Sequence, residues 1–209
     1  IYVPLDGASP PPRLAKALAA CEAGWLLADQ AVDGLQAELR LQGAERIAPR
    51  LGWLAESPAE GAAFDIQAVL HASDRLPLVN AGGDAVAHIL FTSGTTGTPK
   101  GVAITHANVI HFVEWAVRHF AIDAGDRLSG HAPLPFDLSF FDIFGSIAAG
   151  AELHLVPPEL SLFPDKLSDW IRAAGLTQWF SVPSVLNYLA GFDAVRRNDF
   201  PRLRRQRPR

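Results

Sequence analysis

Residues 91 to 102 read Phe-Thr-Ser-Gly-Thr-Thr-Gly-Thr-Pro-Lys-Gly-Val, and this stretch constrains the fold more than any other part of the chain. Gly94, Gly97 and Gly101 permit backbone angles that strain other residues, so amide N–H groups can converge on one anion. Thr92, Ser93, Thr95, Thr96 and Thr98 add hydroxyls, and Lys100 adds a full charge on a flexible stem. Such a loop suits a polyphosphate. It departs from the phosphate loop of nucleotide hydrolases, in which the lysine opens a helix. Here Lys100 lies between Pro99 and Gly101, and the β-branched or small residues Val102 to Thr105 follow. With His88 to Thr92 apolar on the other side, the pattern predicts strand, glycine-rich loop, strand. A helix is then expected after an N-cap at Asn108, carrying Val109, Phe112, Val113, Ala116, Val117 and Phe120 on one face. A hairpin that is glycine-rich only because it turns is the competing reading, but turn chemistry has no need of a lysine after proline.

The rest of the chain supports an α/β architecture. Pro10 to Pro12 lead into a predicted helix over Arg13 to Ala20, the apolar run Trp25 to Ala28 reads as a buried strand, and Val32 to Leu41 reads as a second helix. Residues 55 to 87 predict irregular structure with one or two short strands. Beyond the loop, strands are expected at Arg127 to Ala132, Glu152 to Val156 and Gln178 to Val182. They alternate with helices at Ser139 to Ala149, Asp165 to Ala174 and Ser184 to Ala190, with Phe140, Ile143, Phe144 and Ile147 on one helical face. This alternation predicts layered, mainly parallel sheets flanked by helices.

Composition narrows the function. In 209 residues, 49% are hydrophobic, enough for a substantial core, and a formal charge of −4 gives no general attraction to nucleic acid or anionic membrane. The single cysteine, Cys21, rules out an internal disulfide and reads as a packing residue in a reducing compartment. No apolar run has membrane-spanning length and no charged leader precedes a hydrophobic segment, so a cytoplasmic location is expected. Seven arginines between Arg196 and Arg209 form a basic end with few aromatic residues to stack on bases, and no nucleic-acid partner is expected from it. His106, His111 and His119 lack zinc spacing.

A second constellation, Phe136-Asp137-Leu138-Ser139-Phe140-Phe141-Asp142, stands where a predicted strand end meets a helix, the usual place for ligand sites in α/β proteins. Taken alone, Asp137 reads as a helix cap and Asp142 as a helix-surface or structural carboxylate.

Together these motifs resemble the acyl-adenylate-forming superfamily, to whose phosphate loop the run Thr-Ser-Gly-Thr-Thr-Gly-x-Pro-Lys-Gly is similar. Phe-Asp-x-Ser resembles the substrate motif of the amino-acid adenylation domains of nonribosomal peptide synthesis. Tyr2-Val3-Pro4-Leu5-Asp6 with Pro10 and Arg13-Leu14 resembles a third family segment, Gly7 replacing its usual proline. His131-Ala132-Pro133 is similar to free-standing ligases that load an amino acid such as proline onto a carrier protein.

The resemblance implies a partial large N-terminal subdomain of an adenylate-forming enzyme over residues 1–203, lacking its start, downstream half and C-terminal lid, with 204–209 a basic tail that is disordered or outside the family pattern. It implies that ATP with Mg2+ converts an amino-acid carboxylate to aminoacyl-AMP, and that a carrier-protein phosphopantetheine thiol accepts the product. Thr92, Ser93, Gly94, Thr95, Thr96, Gly97 and Lys100 would hold the phosphates, Lys100 being distinct from the catalytic lysine of the lid. Phe136 would sit by the reacting carboxylate and Asp137 would pair with the α-ammonium, an ion that needs a compensating carboxylate once partly desolvated. Leu138, Phe141 and Ser181 would line a side-chain pocket showing no second charge, which favours a neutral amino acid. Most magnesium ligands and the remaining half of the domain, itself an expected partner, fall outside the chain. A catalytically inactive remnant that only binds nucleotide phosphate or a partner stays open as the alternative.

Overall fold

The computed structural model describes residues 1–29, 35, 38–39, 41, 49–57, 60–75, 79, 81–92 and 99–204. These fall into two compact units, Ile1–Ile104 and Thr105–Arg209.

In the first unit, helix α1 (Pro11–Cys21) opens on prolines, which suit a first turn because their missing N–H has no helical partner there. It buries Ala15 and Leu18 against Leu35 and Leu39, with Leu5, Leu14, Ala23 and Leu26 packed around them. Most of the helix expected over Val32 to Leu41 lies outside the described residues. Cys21 is half-buried, its thiol donating to the Leu18 carbonyl at 3.5 Å, and burial pushes its pKa up, as suits a packing residue. Strands β1 (Trp25–Ala28) and β2 (Arg50–Trp53) pair in parallel, Trp25 opposite Arg50 and Ala28 opposite Trp53. Gly52 forms a bridge to Phe64, and a Cβ on it would stand 2.3 Å from the Phe64 ring, so no larger residue fits unless that ring moves. A five-residue helix, α2 (Ile66–Leu70), occupies ground expected to be irregular, and Asp65 caps it by accepting from Ala68 N at 2.9 Å.

Strands β3 (Val86–Thr92) and β4 (Lys100–Thr105) are neighbours in one sheet, as the strand, loop, strand pattern predicted. Tyr2 bridges His88 in parallel, Tyr2 N donating to Ala87 O and Ile89 N to Tyr2 O, so the opening segment runs along β3. Gly101 lets the two strands pack closely, since a Cβ there would meet Ile89 Cγ2 at 2.9 Å.

In the second unit, α3 (His106–Phe120) begins one residue after Thr105 rather than at Asn108. Thr105 Oγ1 accepts from Asn108 N at 3.2 Å while Asn108 Oδ1 accepts from Thr105 N at 3.1 Å, a reciprocal cap that assigns the two residues opposite ends of one box. Parallel strands β5 (Arg127–Gly130) and β6 (Glu152–Leu155) follow, Leu128 opposite Leu153. Between them α4 (Leu138–Phe140), a π turn (Phe141–Gly145) and α5 (Ser146–Ala149) run on as one helical stretch. The extra residue in the π turn rotates the buried face away from the expected 3.6-residue stripe. Phe140, Phe141, Asp142 and Ser146 are buried, while Ile147 is 71% exposed.

Phe141 is clamped between the Phe120 and Phe180 rings, both edge-on at 5.2 and 5.0 Å, in a core with Ala116, Ile122 and Leu128. A second core joins α6 (Pro164–Ala174) and α7 (Pro183–Gly191) through Leu167, Ile171, Leu176 and Leu189. The strand expected over Gln178 to Val182 shrinks to a bridge between Gln178 and Leu128. Ser129 is the reason: its hydroxyl takes the Phe180 N–H at 3.2 Å, where a continuing ladder would use the Ser129 carbonyl. Arg204, assigned to the basic tail by sequence, is tied into this unit. Its N–H donates to Thr177 O at 2.9 Å and its guanidinium to the Ala121 carbonyl at 3.0 Å and to the buried Asp126 carboxylate. No helix among the described residues is long and apolar enough to cross a membrane.

Candidate functional site

Each unit carries part of the expected machinery. In the first, Thr92 is the last residue of β3 and Lys100 the first of β4, so they stand as the two posts of the glycine-rich loop. Thr92 Oγ1 donates to the Lys100 carbonyl at 3.5 Å, a long bond that spans the loop's base. The Lys100 side chain is exposed and makes no ion pair among the described residues, leaving its ammonium available to an anion. Ser93, Gly94, Thr95, Thr96, Gly97 and Thr98 lie outside the described residues.

In the second unit, a cavity of about 250 Å³ is lined by His131, Ala132, Pro133, Phe136, Leu138, Ser161, Ser181, Val182 and Val185. Three of the five substrate residues named from sequence, Phe136, Leu138 and Ser181, meet here. Asp137 lies between two of them in the chain and is exposed. Its carboxylate makes no cap hydrogen bond, and no ion pair or other hydrogen bond to it exists among the described residues. Capping therefore does not explain it. Phe141 is not part of the lining: the π turn directs it into the core between Phe120 and Phe180, where it backs the wall.

The loop leading to Asp137 is held by the serine of the Phe-Asp-x-Ser motif. Ser139 is buried, and its hydroxyl is shared between the Phe136 carbonyl at 2.7 Å and the Leu134 carbonyl at 3.1 Å. Turn bonds from Phe136 N to Pro133 O and from Ser139 N to Phe136 O complete the corner. The motif thus divides its labour, with phenylalanine and leucine facing the cavity, aspartate left open and serine fastening the turn.

Asp142 proves to be a structural carboxylate and not a surface one. It is 1% exposed; Oδ2 accepts from His131 N at 3.3 Å, while Oδ1 is buried with no hydrogen-bond partner. Burial pushes its pKa up to about 7, against the opposing pull of the His131 and Ala132 backbone N–H groups. β5 ends at Gly130 and not at Ala132 as expected, and the next backbone N–H, that of His131, goes to Asp142.

Sequence reasoning missed His131's ring partners, together with Ser161, Val182 and Val185. Trp179 Nε1 donates to His131 Nδ1 at 3.2 Å, and Ser161 Oγ lies 3.5 Å from His131 Nε2. Residues 48 and 30 positions away in the chain carry no local signal of such a cluster. Among the described residues no three His, Cys, Asp or Glu side chains converge as a metal site, so the magnesium ligands of the expected reaction have no assignment here.

A family model described as AMP-binding enzyme matches residues 1–206. The L-proline--[L-prolyl-carrier protein] ligase of Pseudomonas fluorescens is 36% identical over 186 residues, 89% of this chain and 36% of that protein. A linear gramicidin synthase of Brevibacillus parabrevis is 33% identical over 181 residues, 84% of this chain and 2% of its own. Among solved structures, the Vibrio cholerae adenylation domain AlmE, in complex with glycyl-adenosine-5'-phosphate, superposes with a TM-score of 0.77 at 25% identity, over 97% of this chain and 39% of that one. ATP-bound MatB from Rhodopseudomonas palustris reaches a TM-score of 0.80 at 22% identity, over 97% of this chain and 38% of that one, a likeness of fold. The chain spans little more than a third of the length of the prolyl-carrier ligases it matches.

Proposed function

Because the chain belongs to the AMP-binding enzyme family, we propose that it takes part in activating an amino acid with ATP, as the nucleotide-loop and side-chain-pocket portion of a longer enzyme. The amino-acid carboxylate attacks the α-phosphorus of ATP, the bond from that phosphorus to the β-phosphate oxygen breaks, and pyrophosphate leaves with the electron pair. The thiol sulfur of a carrier-protein phosphopantetheine then attacks the acyl carbon of the aminoacyl-AMP, the bond from that carbon to the AMP oxygen breaks, AMP leaves with the electron pair and the thiol proton is lost to solvent.

In this reaction Lys100 and the loop hydroxyls and amides, Thr92 among them, steady the charge that builds on the departing pyrophosphate. Asp137 takes the α-ammonium and so orients the carboxylate beside Phe136, while Leu138 and Ser181 receive the side chain. Magnesium, when bound to ATP, neutralises part of the phosphate charge. The cytoplasm, where ATP is at hand, is the compartment this reading implies.

The observation that carries the reading is the exposed Asp137 carboxylate, without a hydrogen-bond or ion-pair partner among the described residues and set in the chain between Phe136 and Leu138, which line a largely apolar cavity that Asp137 itself does not line. A fatty or aryl acid gives such a carboxylate nothing to pair with, whereas an α-ammonium entering the site would be stranded without it. The relatives point the same way, since they include a prolyl-carrier ligase, a linear gramicidin synthase and an adenylation domain in complex with a glycyl adenylate.

The test uses residues 1–204 carried in place of the matching segment of the Pseudomonas ligase, and compares an amino acid with its des-amino analogue in ATP–pyrophosphate exchange. The native segment should favour the amino acid, and Asp137→Ala should narrow that preference roughly 10–100-fold, about what one hydrogen bond to a charged group contributes. An unchanged preference in Asp137→Ala would remove Asp137 from the ammonium site. The 209-residue chain alone is expected to give no exchange.

A further inference from the structure

Among the described residues lining the cavity, His131 alone has a side chain that can carry a charge near neutral pH, and its surroundings decide whether it does. An indole N–H can only donate, so the bond from Trp179 Nε1 at 3.2 Å requires His131 Nδ1 to accept with a bare lone pair. A ring with Nδ1 bare is neutral and carries its proton on Nε2, where Ser161 Oγ, 3.5 Å away, can accept it. The two rings lie within 13° of parallel with centroids 6.2 Å apart. Trp179 is itself held by the α6/α7 core and by the Phe200 ring, edge-on at 6.4 Å. At the other end, the His131 backbone N–H is held by the buried Asp142. The imidazole is therefore fixed at its ring and at its backbone, on two different elements.

We propose that His131 is a specificity residue of this cavity: locked by Trp179 as an uncharged ring, it gives the pocket a neutral wall that admits uncharged side chains and refuses both acidic and basic ones. The inference rests on the reading of the cavity as an amino-acid side-chain site. Its physical basis is the free-energy cost of an unpaired buried ion. The lining offers no carboxylate to a cation, and a neutral imidazole offers no charge to an anion. Burial acts in the same direction as the Trp179 bond, holding the His131 pKa below its ordinary value. The other ionisable groups nearby are Asp137 on the exposed turn, Asp142 behind the His131 backbone, Glu159 on the turn that carries Ser161, and Tyr188 on α7, whose hydroxyl donates to Leu162 O at 3.0 Å.

The tautomer is read directly on the 209-residue chain by long-range ¹⁵N–¹H correlation of the imidazole. The expected spectrum shows His131 with Nδ1 unprotonated and Nε2 protonated at pH 7, titrating below free histidine. Trp179→Phe keeps an aromatic ring but deletes the donor, and should mix the tautomers and raise the titration midpoint. A protonated Nδ1 in the native chain would overturn the proposal. A second arm follows the same resonances while L-valine, L-lysine or L-glutamate is added as probe. Valine should shift them and the two charged amino acids should not. In Trp179→Phe the discrimination against glutamate should fall about tenfold for each unit of pH down to the raised midpoint and level off below it, and His131→Asn, which removes the titrating ring, should lose that transition. Equal response to lysine and valine, or response to none of the three, overturns the specificity role. Pyrophosphate exchange by the grafted segment then reports separately whether amino-acid activation itself survives.

Discussion

Lys100→Ala is expected to lower ATP–pyrophosphate exchange by about 10²–10³-fold in the grafted enzyme, the range seen when one preorganised donor to a developing oxyanion is removed. The expectation follows from where Lys100 stands. It opens β4 directly across the loop's base from Thr92, is exposed, and commits its charge to no ion pair among the described residues. A cation kept free in that position is available to phosphate oxygens. If it stabilises charge on the leaving pyrophosphate, kcat should fall more than KM for ATP rises, because the interaction strengthens as the bond breaks. Lys100→Arg should recover part of the loss by returning the charge without the same reach. Since the side chain is exposed, stability should move by no more than about 0.5 kcal/mol, so lost activity would not reflect lost fold. A rise in KM alone would make Lys100 a ground-state binder, and unchanged exchange would remove it from the site.

Asp142→Asn should make the chain more stable near pH 8 and leave it little changed near pH 4. Between its ordinary value of 3.8 and its folded value of about 7, Asp142 is protonated in the fold and ionised in the unfolded chain. The unfolded state binds fewer protons over that window, so the native chain loses stability as pH rises through it. The favourable contribution is complete below pH 3.8 and gone above about 7. A shift of roughly three pH units amounts to about 4 kcal/mol, an upper bound, since partial opening of the site would relieve some of the cost. Asparagine keeps an acceptor for the His131 N–H and places an uncharged amide where Oδ1 now has no partner, so it mimics the protonated acid at every pH. Urea unfolding of both chains from pH 4 to pH 8 isolates the effect as a difference. A stability difference independent of pH would show that Asp142 does not titrate as its burial requires.

Much of this molecule was legible in its sequence, and the exceptions have physical causes. The prolines at the start of α1 and the apolar runs of β1 and β3 identified those elements, because helix starts and strands depend on local chemistry, although β1 leaves Trp25 46% and Leu27 59% exposed where a buried strand was expected. The short helix α2 escaped notice in Ala-, Gly- and Ser-rich surroundings, although its Asp65 cap was a readable signal. The π turn could not be anticipated from a 3.6-residue period, and it is what places Phe141 in the core and Asp142 behind His131. Ser129 shortened a strand through its side chain, which hydrophobic patterning does not register. In the cavity, Phe136, Leu138 and Ser181 were found by motif, whereas the bond from Trp179 to His131 arises from tertiary packing across 48 residues.

The chain's membership of the AMP-binding family leaves its substrate class as the decisive question. ATP–pyrophosphate exchange by the grafted segment, run across neutral, acidic and basic amino acids and their des-amino analogues, answers it. Exchange is expected to require an α-amino group and to be strongest with an amino acid whose side chain is uncharged. Exchange driven equally well by carboxylic acids without an α-ammonium, or none with any amino acid in a graft that folds and binds ATP, would refute the assignment of this chain to amino-acid activation.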